Sequence, residues 1–150
     1  MSSRTMDQDH PANPGWPKEV SISRIVDQLA EPVEQVFRRM MREPRRSREE
    51  LRRLVALHLV RLETASRASD FIDAPLAGHI ANLCHRLIDT VAPPVEEDHR
   101  RIVQAAVLYF ALEQDVESDT DSLIGLDDDR QVVNAVCREL GIDTDRPLDT

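Results

Sequence analysis

Aromatic residues make up only 3% of this 150-residue chain, one Trp, one Tyr and three Phe. A surface that stacks bases needs rings held open to solvent, so single-strand and RNA-binding readings have little to rest on. Glycine is as scarce, with four in all, and none forms a phosphate-cradling loop or a GxSxG nucleophile elbow. The two cysteines, Cys84 and Cys137, form no CxxC and fall within helical patterns. That excludes a disulfide framework and a zinc knuckle, and predicts buried free thiols of a reducing compartment. No apolar run approaches the ~20 residues of a membrane span, and the opening MSSRTMDQDHPANPGWPKE lacks the apolar core of a signal peptide. The expectation is a cytoplasmic protein with no membrane span. A formal charge of −9 further weighs against general nucleic-acid binding, because attraction to phosphate needs positive surface potential.

What is present is helical periodicity. Hydrophobic content of 41% beside 31% charge suits one globular domain. Residues 1–19 carry Pro11, Pro14, Gly15 and Pro17 and predict a mobile arm, with Trp16 docked back on the domain. From Ile22 to Met41 the stripe Ile22, Ile25, Val26, Leu29, Val33, Val36, Phe37, Met40, Met41 predicts a first helix, kinked at Pro32 or broken into two collinear pieces there. Ser47 and Glu50 have capping-box spacing and open a second helix over 48–66, with Leu51, Leu54, Val55, His58, Leu62 and Ala65 on one face. Asp73 and Pro75 start a third helix that stops at Pro93 and Pro94, and Glu96, Glu97 and Asp98 open a fourth. The fourth is apolar nearly all round, IVQAAVLYFAL from Ile102 to Leu112, which marks a helix enclosed by its neighbours. A fifth carries Val132, Val133, Val136, Cys137 and Leu140 and closes at Gly141. The expectation is an all-α, single small bundle of about five helices with a buried central fourth, spanning 20–141, followed by a frayed tail over 142–150.

Between the last two helices lies DVESDTDSLIGLDDD, Asp115 to Asp129, with seven acids among fifteen residues and no base. A calcium loop read from Glu117 puts Glu117, Asp119, Asp121 and Asp128 at positions one, three, five and twelve, with Asp115 just outside. The glycine needed at position six is Ser122, and the twelfth residue is Asp where Glu is preferred. The competing reading is a solvated turn in which Asp127, Asp128 and Asp129 cap the next helix and favour its dipole. The run through Tyr109, Asp115, Asp119, Gly125, Asp128, Asp129, Val132 and Val133 resembles the signature of the YkvA-like family, a bacterial domain of unknown function. The prolines of that pattern are replaced by Ser118 and Ser122, and the likeness covers about residues 103–135. It implies a small helical domain and no known reaction. Asp115, Asp119, Gly125, Asp128 and Asp129 are the expected turn and contact residues, with Gly125 taking a backbone conformation that a side chain would disfavour.

A second constellation is basic. Arg38, Arg39, Arg42, Arg45, Arg46, Arg48, Arg52 and Arg53 stand against Glu43, Glu49 and Glu50, a net +5. It suits an anionic ligand, nucleic acid or a lipid surface; equally, Arg38, Arg39 and Arg42 would complement a helix C-terminus while Glu49 pairs with Arg53. His58 lies on the apolar stripe, where a satisfied core histidine is the ordinary outcome, and His79 and His85 are too far apart on one helix to share a metal. These features predict a protein-interaction module without a cofactor, acting through the acidic turn on an unidentified protein partner or by self-association through Met40 and Met41. The rivals are nucleic-acid or anionic-surface binding by the arginine segment and a divalent-metal-dependent enzyme using the acidic turn.

Overall fold

Short polar caps and two prolines set the helix boundaries. The computed structural model describes residues 20–68, 72–112 and 124–144. Ser21 caps α1, Ile22–Val26, its hydroxyl accepting from the Arg24 amide at 3.1 Å. Pro32 lies in the first turn of α2, Glu31–Met41, where its missing N–H would have had no intrahelical acceptor. The ring is incompatible with an unbroken helix from Ile22, so the chain leaves helical geometry before Glu31 and, of the two outcomes expected at Pro32, forms two helices rather than one kinked one. Ser47 accepts from the Glu50 amide at 3.0 Å to open α3, Arg48–Ser66. Asp73 does the same for Leu76 at the head of α4, Ala74–Asp89, with Pro75 in the first turn. Then follow α5, Glu97–Leu112, and α6, Ile124–Glu139. The described residues thus form six helices and no strand.

The apolar rod lies at the centre as its composition demands. Every residue from Ile102 to Ala111 is buried, and α5 packs against α2, α3, α4 and α6. Around it α3 lies along α4, α4 meets α6, and α1 rests on α6. Fully burying one large aliphatic or aromatic side chain contributes roughly 1.5–3 kcal/mol, so a helix that buries all its faces dominates the stability.

Polar stitches hold the shell in place. Glu139, whose side chain is only 5% exposed, accepts from Arg24 Nε at 3.0 Å, Arg24 Nη2 at 2.7 Å and the Ser21 amide at 2.8 Å, fixing α1 on the end of α6. Burial alone would raise this carboxyl, but the bonds from Arg24 and Ser21 outweigh it and hold it below its ordinary value. Thr90 Oγ1 donates to the Leu87 carbonyl at 2.7 Å and so must accept from His99 Nε2 at 2.9 Å; this assigns the Nε2–H tautomer and ties the end of α4 to the start of α5. At the other end Gly141 takes φ 78°, Ile142 N donates to Cys137 O at 2.8 Å and Gly141 N to Arg138 O at 3.1 Å. This is the paired bond pattern of a left-handed helix cap, and Ile142 packs against the core behind it. The tail expected to fray from 142 instead docks onto α4 as far as Thr144: Arg86 donates to the Asp143 carbonyl at 3.2 Å, and His79 Nε2 lies 2.9 Å from the Thr144 carbonyl.

Both cysteines are buried and free. Burial pushes the Cys137 thiol up to about 12, so neither a thiolate nor its chemistry is available there. His58 departs from expectation. It is 4% exposed, with its ring edge-on to Phe110 at 4.8 Å, and its Nδ1 has no hydrogen-bond partner. Burial, aided by the nearby Arg61 charge, lowers His58 to about 4. The unfolded imidazole titrates near 6.5, so between these values only the unfolded chain binds the proton. Stability is therefore retained above about pH 6.5 and drains as pH falls towards 4, by roughly 2–3 kcal/mol for this group. His58→Leu is expected to flatten that acid limb in urea unfolding measured across this range; an unchanged limb would assign it to other groups.

Candidate functional site

The arginine segment becomes an elbow between α2 and α3, and one buried side chain of the central helix holds it. Gln104, 3% exposed within the otherwise apolar face of α5, reaches out to the connector. Its Oε1 accepts from the Arg46 amide at 2.9 Å and Arg100 Nη1 at 3.2 Å, and its Nε2 donates to the Pro44 carbonyl at 2.8 Å and the Glu43 carbonyl at 3.4 Å. The connector's backbone groups face an apolar rod and would otherwise lack partners, which is why a single amide is retained there. Arg100 is itself anchored, with its Nη2 2.6 Å from Glu97, and this contact lowers the Glu97 carboxyl below its usual value.

The eight arginines do not behave alike. Arg38 pairs with Glu34 at 2.9 Å, Arg46 with Glu43 at 3.2 Å and Glu50 at 3.3 Å, and Arg52 with Asp89. Arg39, Arg42, Arg45, Arg48 and Arg53 make no ion pair with the described residues, and the expected pairing of Glu49 with Arg53 does not form. Arg48 and Arg53 point about 140° apart around α3 at ~100° per residue, so the sequence run is not one surface. Arg39, Arg42 and Arg45 are exposed and Arg48 half-buried at the elbow, while Arg53 belongs to the outer flank of α3.

The acidic turn divides differently. Asp115, Glu117, Asp119 and Asp121 lie outside the described residues. Asp127 is exposed and 3.5 Å from Arg130, Asp128 is half-buried, and Asp129 is 6% exposed. Asp129 therefore faces inward rather than outward as a contact residue: after burial and Cys137, its charge is a cause of the raised pKa of the Cys84 thiol. Gly125 is helical, the second residue of α6, so its backbone there needs no freedom that other residues lack. Among the described residues no three His, Cys, Asp or Glu side chains converge as a metal site. No helix of the described residues is long and apolar enough to cross a membrane. Met40 is buried and Met41 half-buried against the core, which removes them as an exposed contact patch. Among the described residues the exposed large hydrophobics are instead Leu57 and Val60 on α3, at 51% and 57%. No protein-family model, curated protein or solved structure matches this chain.

Gln104 was hidden from sequence reading because one amide in an eleven-residue apolar run looks like a tolerated exception. Replacing it by Leu would strip the Arg46 amide and the Pro44 carbonyl of their partner, a loss of about 1–3 kcal/mol for groups left unsatisfied. Thermal or urea unfolding of Gln104→Leu is expected to show it, with amide exchange fastest at Arg46; an unchanged midpoint would mean that water serves the connector as well.

Proposed function

We propose that the protein is an interaction module that recognises acidic protein segments through the α2–α3 elbow, with the acidic turn between α5 and α6 as a second contact surface of opposite sign. The observation that carries this reading is the set of four arginines, Arg39 near the end of α2, Arg42 and Arg45 on the connector and Arg48 at the start of α3, that make no ion pair among the described residues, around a connector that Gln104 fixes to the core. A charged group with no internal partner costs little while hydrated, and gains a charge-assisted bond when a carboxylate arrives. Guanidinium groups favour such planar, two-point recognition. The likeness of residues 103–135 to the YkvA-like domain belongs to the same proposal; the burial of Tyr109, Val132 and Val133 supports its helical part and bears on no activity.

Nucleic acid is the second reading of the same elbow, favoured by arginines that make no ion pair among the described residues and opposed by the formal charge of −9 and by the burial of Phe37, the one ring adjoining the segment. Both are ionic and weaken with salt, so the two separate on ligand preference. An acidic peptide carrying the sequence 113–129 is expected to bind the full chain at low salt, and Arg42→Glu with Arg45→Glu to weaken it about tenfold or more without shifting the melting temperature. Tighter retention on duplex DNA than on the peptide would favour the second reading, and no binding to either would end both.

A further inference from the structure

The outer flank of α3 carries a charge pattern that is complementary to itself when reversed. Leu57 and Val60 stand exposed at its middle, and no described element covers them. Glu49 and Arg53 lie before this apolar pair, Glu63 and Arg67 after it; all four are exposed, and none makes an ion pair with the described residues. Glu49 and Arg67 lie about five turns apart along one line of the helix at ~3.6 residues per turn. The midpoint between Glu49 and Arg67, and that between Arg53 and Glu63, both fall at position 58, between Leu57 and Val60.

We infer that α3 pairs antiparallel with α3 of a second copy, forming a twofold dimer. A twofold axis near position 58 sets Glu49 against the second copy's Arg67, Arg53 against its Glu63, and closes the two Leu57–Val60 pairs over one another. Each ion pair occurs twice by symmetry, as a self-complementary interface requires. A parallel arrangement would instead face Glu49 with Glu49 and Arg67 with Arg67, which repel. The apolar centre is desolvated while the charges stay at the rim, so Leu57 and Val60 supply affinity and the charges supply direction and register. One helix face per subunit is a small interface, so the association is concentration-dependent. It uses none of the elbow arginines and stands independently of the function proposed for them.

Sedimentation velocity on the full chain over a wide concentration range tests it. The wild-type chain is expected to pass from monomer to dimer, and Val60→Glu, at an exposed position, to abolish that transition with the melting temperature kept. Glu49→Arg and Arg67→Glu are each expected to weaken the dimer about tenfold or more, because each alone places like charges opposite one another. Mixing the two variants restores two opposite-charge pairs and should recover a heterodimer. A wild-type chain that stays monomeric throughout, a dimer indifferent to Val60→Glu, or variants that mixing does not rescue would each overturn the inference; the first would leave the face to a different protein.

Discussion

One constraint organises the molecule: α5 has no face it can show to water. Ile102, Val103, Ala105, Ala106, Val107, Leu108 and Phe110 are each at most 1% exposed, which requires neighbours in every direction and makes a layered or open arrangement of the helices untenable. The packing of α2, α3, α4 and α6 around it follows from that demand. So does the amphipathic pattern of α2 and α4, whose inner faces supply Val33, Phe37, Ile80, Leu83 and Leu87.

A wholly apolar rod would enclose its neighbours' connectors as well as their side chains, and connectors carry polar backbone. Gln104 resolves that conflict for the α2–α3 elbow, and the Thr90–His99 pair resolves it between α4 and α5. Gln104 and the Thr90–His99 pair thus act as joints between elements. His58 shows the cost of the alternative, a ring nitrogen buried without a partner, tolerable only while the imidazole stays neutral.

The helices were legible because their signals are local. Ser47 with Glu50, Asp73 with Pro75, and Gly141 each fix a boundary within three or four residues, and the structure places those boundaries where the residues indicate. The central position of α5 was legible for a related reason: lack of polarity on every side, in a run too short to cross a bilayer, is met by enclosure among other helices. The surfaces were harder to read. Eight arginines in sixteen positions look like one patch, yet helical phase turns Arg53 away from Arg48, and local acids neutralise Arg38, Arg46 and Arg52. Asp129 likewise looked like a third solvated aspartate, but its phase on α6 carries it inward. Net charge of a segment is a property of sequence, whereas a charged surface is a property of phase and partners, and only the second can bind.

The same reasoning explains why α3 differs from the other long helices. Its inner residues Leu51, Val55 and His58 are buried against the bundle, while Leu57 and Val60 continue the apolar character round to the outside. Such spread weakens amphipathicity without adding anything to the core, so folding of one subunit gives no reason for it. An isolated exposed Leu is ordinary on a protein surface. Leu57 and Val60 exposed one turn apart, bracketed by charges that alternate in sign and mirror about their centre, are better explained by a second helix than by the first. The flanking Glu near the helix start and Arg near its end also suit the dipole of α3 itself, so the pattern that directs pairing costs the helix nothing when the chain is alone.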